Sequence, residues 1–378
     1  MNIAIVGGGI GGLTLAQYLT QNPHFQKASI RIFERDHSID SRSQGYALSL
    51  QQANGLQVLE DLGLIEQIKA IGKPATDFSF LNPKGNTLMR LKANASTAHH
   101  TLGVPRSDLR NILATALPEG TIEWGQKCTG YQRKGERAFV CFEDREPYQA
   151  DLIVACDGVR SRIRQQMLQD DFFDLGLRSW GGSLEHVSPH PLLEHGGFFT
   201  LAPGASLFVQ QYTEEGSLIW SYCCKTSLAD WENLEPKDLK KKLMQALGGW
   251  HAPIQELIKQ TPPDSINHRP YFDRTPVSCW HDGPVLLLGD AAHPMSPFQG
   301  QGANMAMRDA EALAKALEEH PKLEHAIDAY QQLRIPPTTQ AVMRSRQAAS
   351  LFHWQNPLAR WLRNGFFRTI NLFLSFSR

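Results

Sequence analysis

Residues 2–21 read NIAIVGGGIGGLTLAQYLTQ, and this stretch decides the class of fold. The apolar run 2–6 stops at Gly7, as a buried parallel strand does. Residues 10–21 then carry apolar side chains at helical spacing, and 29–35 (SIRIFER) return as a strand. A strand, a helix and a second strand in this order predict a βαβ unit, so a doubly wound nucleotide-binding sheet begins at residue 1.

Three glycines between that strand and that helix have the spacing G-x-G-x-x-G: Gly7, Gly9 and Gly12. The first makes a tight turn, the second lets a pyrophosphate approach the backbone, and the third lets the helix pack on the strand. The helix N-terminus at Ile10 offers amide donors, and Glu34 at the end of the next strand would accept hydrogen bonds from a ribose. A purely structural loop is the alternative, and the motif alone does not separate NAD from FAD.

The amino-acid composition limits the classes of binding partner. The 378 residues suffice for two or three domains, and 38 basic residues balance 38 acidic ones, which disfavours nucleic-acid binding and favours a small molecule. The six cysteines form no CxxC pair and have no zinc-ligand spacing, so no metal site is predicted. Without a leader-like segment or an 18-residue apolar run, we expect a cytoplasmic protein that does not associate with membranes.

The remaining segments are of two kinds. Segments that continue the nucleotide-binding domain are the helical stretches 55–71, 109–117 and 303–319 and the apolar strands 151–158 and 283–293. Segments typical of a second, sheet-based domain are a hairpin within 76–104 around Asn82-Pro83-Lys84-Gly85, β-type runs over 170–230, and helices near 237–248 and 253–260. The nucleotide domain is therefore built from separated pieces of chain.

A second motif, GDAAHPMSPFQGQGANMAMRDA at 289–310, joins a buried strand to a helix. The carboxylate of Asp290 would bind a ribityl hydroxyl, and the bare backbone at the helix start would face a flavin ring carbonyl. A helix N-terminus there stabilises the negative charge of a reduced flavin. A plain Pro/Gly loop is the alternative, but the motif resembles the flavin-binding signature of the FAD-dependent aromatic hydroxylases. The predicted flavin contacts are Asp290, Pro297, Gly300, Gly302, Ala303 and Asn304.

A third motif, DLIVACDGVRSRIR at 151–164, is similar to the Asp-Gly motif of the same family. The resemblance places Asp157 and Gly158 near the FAD pyrophosphate and the NAD(P)H path. A tight turn capped by an aspartate is the alternative. The other residues that the resemblance assigns to the cofactor site are Arg35, Arg42, Ser49 and Arg106; a solvent-facing side chain is the alternative for Arg42, Ser49 and Arg106.

On these three motifs the chain resembles the single-component, PHBH-like FAD-dependent aromatic hydroxylases, and it is similar to the salicylate-hydroxylase and tetracycline-inactivating branches. The resemblance implies an α/β fold: a discontinuous, GR2-type Rossmann-like FAD-binding domain, a β-sheet substrate domain and a C-terminal helix. The predicted boundaries are 1–75, 102–168 and 276–340 for the FAD-binding domain, 76–101 and 169–275 for the substrate domain, and 341–378 for the C-terminal helical segment.

The implied function is an FAD-dependent monooxygenase. It would use NADPH or NADH and O2 to hydroxylate a small aromatic or polycyclic substrate through a flavin C4a-hydroperoxide, as a monomer or homodimer. No catalytic side chain is assigned, because neither His195 nor Tyr212, the candidates for a general base, lies in a motif. The alternatives are a related halogenase or reductase and a non-catalytic flavin-binding module; the lack of a W-x-W-x-I-P stretch argues against the halogenase.

The C-terminal segment NPLARWLRNGFFRTINLFLSFSR (356–378) is an amphipathic helix in pattern. We expect its apolar face to dock on the protein's own domains, with a membrane surface as the alternative. The residues of the predicted docking face are Leu358, Trp361, Leu362, Phe366, Ile370 and Phe373.

Overall fold

The computed structural model describes residues 1–41, 47–92, 101–135, 137–194, 196–228, 231 and 233–376. The strands are β1 (Asn2–Val6), β2 (Ser29–Phe33), β3 (Ala47–Gln51), β4 (Lys73–Ala75), β5 (Asp77–Leu81), β6 (Thr87–Lys92), β7 (Thr101–Pro105), β8 (Ile122–Glu123), β9 (Cys128–Lys134), β10 (Arg137–Phe142), β11 (Tyr148–Ala150), β12 (Leu152–Ala155), β13 (Phe172–Leu184), β14 (Gly196–Ala202), β15 (Ala205–Gln211), β16 (Leu218–Lys225), β17 (Asn267–Arg274), β18 (His281–Asp282) and β19 (Val285–Leu287). The helices are α1 (Ile10–Gln21), α2 (Gln57–Asp61), α3 (Ile65–Ile71), α4 (Arg106–Thr115), α5 (Arg162–Leu168), α6 (Pro236–Ala246), α7 (Ile254–Gln260), α8 (Gly302–Glu319), α9 (Leu323–Phe352) and α10 (Pro357–Phe376).

A six-stranded sheet with the order β18-β19-β12-β1-β2-β8 forms the first layer. β1 lies parallel to both β2 and β12, and β12 lies parallel to β19. Ile3 and Ile5 of β1 are fully buried, because helices cover a parallel sheet on both faces. The predicted βαβ unit and the two later strands are confirmed, and with them the α/β, Rossmann-like fold class.

A seven-stranded sheet with the order β17-β13-β16-β15-β14-β5-β6 forms the second layer. Side chains alternate across it, as the strand period of two requires. In β16, Trp220 and Cys224 belong to the hydrophobic cluster that includes Leu243 of α6 and Leu257 of α7. Cys223 points to the opposite face, where it clusters with residues of α9 and α10. We call this opposite face the inner face.

Two predicted elements differ in detail from the structure. The helical stretch 55–71 is divided into a π-helical turn (Gln52–Leu56), α2 and α3. The break falls at Gly63, whose φ of 71° suits glycine and ends a helix. The predicted hairpin consists of β5 and β6 only, whereas β7 pairs with β3 and β4 in a separate three-stranded sheet.

The long helix α9, of which the sequence analysis predicted only the part after residue 340 as helical, connects the two sheets. Pro336 and Pro337 lie inside it, where helix breakers are expected. Its arginines form two ion pairs: Arg334 with Asp309 of α8 at 2.7 Å, and Arg346 with Asp273 of β17 at 2.6 Å. Tertiary contacts of this kind override local propensity.

The predicted docking face of the C-terminal helix is wrong. α10 packs on β6, and the side chains that it buries include Phe367, which is 5% exposed, and Arg363, which is 3% exposed. The Arg363 guanidinium donates to the carbonyl oxygen of Phe352 at the end of α9. The last carbonyl groups of a helix need hydrogen-bond donors, and an arginine can supply them. Hydrophobic periodicity takes no account of this need.

As a result, most of the predicted docking face of α10 points outward. Its exposed members, with their exposed fractions, are Leu358 (66%), Trp361 (70%), Leu362 (55%) and Phe366 (60%). Ile370 is partly buried, and the side chain of Phe373 lies outside the described residues. Among the described helices, none is both long and apolar enough to cross a membrane.

Candidate active site

The glycine turn after β1 contains two glycines packed against backbone atoms and one that faces open space. A Cβ on Gly7, which has a φ of 110°, would lie 2.4 Å from the carbonyl oxygen of Cys156, and a Cβ on Gly12 would lie 2.2 Å from that of Gly7. A Cβ on Gly9 would meet no atom of the described residues within 4 Å. Within the described ranges no side chain caps α1 at Gly9, so the first amide groups, from Ile10 on, are open to this space. The space suits an anion such as a pyrophosphate.

Glu34 is held in place beside this turn. Its two carboxylate oxygens accept hydrogen bonds from the backbone N–H groups of Gly8 at 2.6 Å and Asp36 at 2.9 Å. Arg110 of α4 lies behind it, 3.7 Å from the Glu34 carboxylate and 3.3 Å from that of Asp36. The Arg110 Nε also donates to the carbonyl oxygen of Gly8 at 2.8 Å. One buried guanidinium therefore fixes the turn to the strand that carries the acid.

Sequence reasoning missed Arg110, although a signal was present. It lies four residues after Arg106, one helical turn further along α4, so the two guanidinium groups project from the same side. Arg106 is the first residue of α4 and is half-buried, whereas the Arg35 side chain is exposed. Arg42 lies outside the described residues.

Residues 288–301, which join β19 to α8 and which we call the flavin-motif turn, leave the N-terminus of α8 open. No side chain caps this helix, and its first intrahelical donor is Met305, so the N–H groups of Gly302, Ala303 and Asn304 are free in the described part of the chain. Among the described residues, a Cβ on Gly302 would lie within 4 Å of the Asp290 carboxylate alone, at 3.7 Å. The Asp290 side chain is exposed.

Two further residues of this turn contribute to its shape. Gly300, at the end of the short turn that begins with Pro297, has a φ of 60°. The Oε1 atom of Gln301 is buried without a hydrogen-bond donor among the described residues. An unsatisfied buried acceptor beside free amides indicates a missing polar group.

Asn304 holds the turn to the neighbouring sheet. Its Oδ1 accepts from the N–H groups of Gln51 and Gly55, at 2.9 and 3.1 Å. Its Nδ2 donates to the carbonyl oxygens of Ser49 and Gly300, both at 2.9 Å. The side chain thus uses its full set of four hydrogen bonds on the backbone, and only its main-chain N–H remains for a ligand.

The turn of the third motif, at Asp157 and Gly158, lies against parts of both other motifs. Gly158 has a φ of 82°, and Asp157 accepts from the N–H of Arg162 at 2.9 Å. The other carboxylate oxygen of Asp157 is buried and unpaired within the described residues, and burial raises the pKa of this carboxyl above its usual value. Arg164 is buried and donates to the carbonyl oxygen of Ala291 at 3.0 Å, next to Asp290.

A buried charge cluster supports the flavin-motif turn from behind. The Nε2 atom of His293 lies 2.5 Å from the carboxylate of Asp309, which also pairs with Arg334 and accepts from the N–H of Gly289 at 3.2 Å. Burial opposes ionisation of Asp309, but His293 and Arg334 hold the pKa of this carboxyl below its usual value. A charged Asp309 therefore fixes the residue that precedes Asp290.

The inner face of the seven-stranded sheet lies beside the flavin-motif turn. The Ser49 hydroxyl donates to the Oε1 atom of Gln210 on β15 at 3.0 Å, and the Phe298 ring contacts Tyr271 edge-on, with ring centroids 5.5 Å apart. Tyr271 donates to Ser179 at 3.1 Å. Burial raises the pKa of Tyr271 to about 12, so it stays protonated at neutral pH.

The inner face also carries an aromatic wall. The partly exposed rings of Phe78, Phe199 and Phe208 lie with centroids 5.0 to 5.9 Å apart. Of the two earlier candidates for a general base, Tyr212 is half-buried with a raised pKa because of burial, and His195 lies outside the described residues.

The residues present fit a dinucleotide that carries a flavin. The open space at Gly9 suits a pyrophosphate, the free amides of α8 and the acceptor of Gln301 suit a ring with carbonyl and N–H groups, and Asp290 suits a polyol. No group of three or more His, Cys, Asp or Glu side chains in the described ranges is placed to hold a metal ion.

Replacing Asp290 by alanine is expected to weaken FAD binding by about 1.5 to 3 kcal/mol, the usual value of a charge-assisted hydrogen bond. Equilibrium titration of apoprotein with FAD measures the change. Asp328→Ala, which removes an exposed carboxylate of α9 far along the chain, is the control and should leave the affinity unchanged. Equal FAD affinities for both variants would show that Asp290 does not face the cofactor.

Comparisons with known proteins identify the family. Residues 1–345 match the family described as FAD binding domain. The chain is 31% identical over 378 residues to aurachin C monooxygenase/isomerase of Stigmatella aurantiaca, covering 98% of this chain and 94% of that protein. It is 27% identical over 336 residues to 6-hydroxynicotinate 3-monooxygenase of Pseudomonas fluorescens, covering 84% and 82%.

A solved structure agrees in fold. That of Klebsiella pneumoniae HpxO complexed with FAD and uric acid superposes with a TM-score of 0.87 at 21% identity, covering 98% of this chain and 93% of that one. The family predicted from the three motifs is thereby confirmed: the chain belongs to the FAD-dependent aromatic hydroxylases.

Proposed function

We propose that this protein is a monooxygenase that takes electrons from NADPH or NADH and transfers one oxygen atom of O2 to a small aromatic or polycyclic substrate. The observation that carries the proposal is the free N-terminus of α8 beside Asp290, next to the inner face of the seven-stranded sheet. A flavin ring at that helix end would have its electron-rich edge against the amides and a substrate surface close by.

The chain's own residues would bind the cofactor, orient it and exclude water from it. Bound FAD would supply the transfer of electrons from the nicotinamide to O2. The turn at Gly9 would hold its pyrophosphate, Glu34 its ribose, and the amides of Gly302 and Ala303 would stabilise charge on the reduced ring. Asp157, with one unpaired carboxylate oxygen, would face the same groove.

The substrate is proposed to lie on the inner face. Relatives named for 3-amino-4-hydroxybenzoate, 6-hydroxynicotinate and aurachin C support an aromatic substrate. Phe199 and Phe208 would contact an apolar ring, while the hydroxyl groups of Ser179 and Ser221, 2.7 Å apart, would bind its polar substituents. We propose the same division into an FAD-binding and a substrate domain that the sequence predicted.

The purified protein is expected to be yellow, with about one FAD per chain, and to be bleached by NADPH or NADH in the absence of oxygen. With the correct substrate in air, NAD(P)H consumption should match product formation. The panel for this assay comprises 3-amino-4-hydroxybenzoate, 6-hydroxynicotinate and aurachin C. Protein that binds FAD but stays yellow with both nicotinamides would contradict the proposal and indicate a flavin-binding module without turnover.

A further inference from the structure

The outer face of α10 is a strip of large apolar side chains. We define this strip as Leu358, Trp361, Leu362 and Phe366, which are 55% to 70% exposed. Their spacing of three and four residues places them on one side of the helix, along about two turns. The surface of a soluble protein seldom presents such a contiguous apolar patch unless a partner binds to it.

The helix cannot turn this strip inward, because its other side is already used. Phe367 packs in the cluster that contains Phe80 and Phe352, with ring centroids 5.5 Å apart for Phe80 and Phe367. Asn371 accepts from the backbone N–H of Arg90 at 2.9 Å. The strip is therefore a fixed outward surface of the folded chain.

The charged side chains in the stretch of chain that contains the strip are all basic. Residues 329–378 contain seven arginines and no aspartate or glutamate. Arg334 and Arg346 have carboxylate partners elsewhere, whereas Arg368 of α10 is exposed. Lys92 on the adjoining strand β6 is also exposed.

We propose that the outer face of α10 docks on the surface of an anionic lipid bilayer. Tryptophan, phenylalanine and leucine on one side with arginines beside them are the composition of helices that lie in the bilayer interface. Negative headgroups complement the arginines. A second copy of this chain would instead bring two sets of arginines together, with no acidic residue on either helix to pair with them. This inference reverses the sequence-based expectation that the face docks internally.

The test is sedimentation of the FAD-loaded, full-length protein with vesicles. We expect the protein to bind phosphatidylcholine vesicles that contain phosphatidylglycerol and to bind vesicles of phosphatidylcholine alone more weakly. Binding to the anionic vesicles should fall as the salt concentration is raised. The double variant Trp361→Ser/Phe366→Ser should bind about tenfold more weakly or worse, since it loses both aromatic anchors. Its FAD content should be unchanged, because both side chains point outward.

The matched control is Leu333→Ser/Met343→Ser, which removes two apolar side chains of α9 that are 62% and 42% exposed, and it should bind vesicles like the parent protein. Absence of vesicle binding by the parent protein would overturn the proposal. A dimer that forms without lipid and is lost in Trp361→Ser/Phe366→Ser would also overturn it and assign the face to self-association. Equal binding to both kinds of vesicle would overturn the electrostatic part.

Discussion

Replacing Arg110 by alanine is expected to lower the free energy of unfolding by about 3 to 5 kcal/mol and to abolish retention of FAD, because breaking a buried ion pair leaves charges without a partner. The guanidinium is 3% exposed and lies between the carboxylates of Glu34 and Asp36. It also donates to the carbonyl oxygens of Gly8 and Ile39. Without it, two buried carboxylates repel each other directly beneath the nucleotide turn.

Chemical denaturation of the apoprotein and FAD titration measure the two effects separately. Arg110→Lys keeps the charge but loses the fork of donors, so it should recover only part of the stability. Arg106→Ala, on the same helix but only half-buried, is the matched comparison and should weaken FAD binding with little loss of stability. An unchanged denaturation midpoint for Arg110→Ala would refute the role assigned to this residue.

Replacing Gly9 by valine is expected to weaken FAD binding by a hundredfold or more, about 3 kcal/mol, while leaving the apoprotein intact. The backbone of Gly9 is extended, with φ of −85° and ψ of −178°, so any residue can adopt it. A Cβ at this position would meet no atom within 4 Å in the part of the chain that the structure describes. The valine would instead occupy the space that a pyrophosphate needs.

Gly12→Val provides the contrast, since its Cβ would lie 2.2 Å from the carbonyl oxygen of Gly7. That variant should fail to fold stably even without FAD, whereas the unfolding free energy of Gly9→Val apoprotein should change by less than about 0.5 kcal/mol. Normal FAD retention by Gly9→Val would place the pyrophosphate elsewhere. The pair therefore separates a ligand-facing glycine from a packing glycine of the same motif.

Much of the cofactor half of the fold was predictable from local sequence. The strand at 2–6, the glycine turn and the helix from Ile10 depend on neighbouring residues, and the structure has them at the predicted places. The strands near 151–158 and 283–293 were also predictable, because a buried parallel strand is a continuous apolar run. Motif spacing indicated the flavin through Asp290 and the residues that begin α8.

Interactions between distant parts of the chain were not predictable. The position of Arg110 one helical turn after Arg106 could be read from the sequence, but its contact with Glu34, 76 positions earlier in the chain, exists only in the folded structure. The long helix α9 passes through Pro336 and Pro337 because packing and its ion pairs to Asp309 and Asp273 outweigh propensity.

The C-terminal helix shows most clearly which features depend on the local sequence and which depend on tertiary structure. Sequence alone determined that residues 357–376 form an amphipathic helix, because periodicity is a property of the segment itself. Which side faces the protein was decided by tertiary structure. The carbonyl groups at the end of α9 need a donor, and Arg363 meets that need only if Phe367 turns inward and Trp361 turns outward. Contacts with other elements, namely this hydrogen bond and the packing of Phe367 against Phe80, thus accompany the orientation of α10, and no hydrophobic pattern within the helix encodes them.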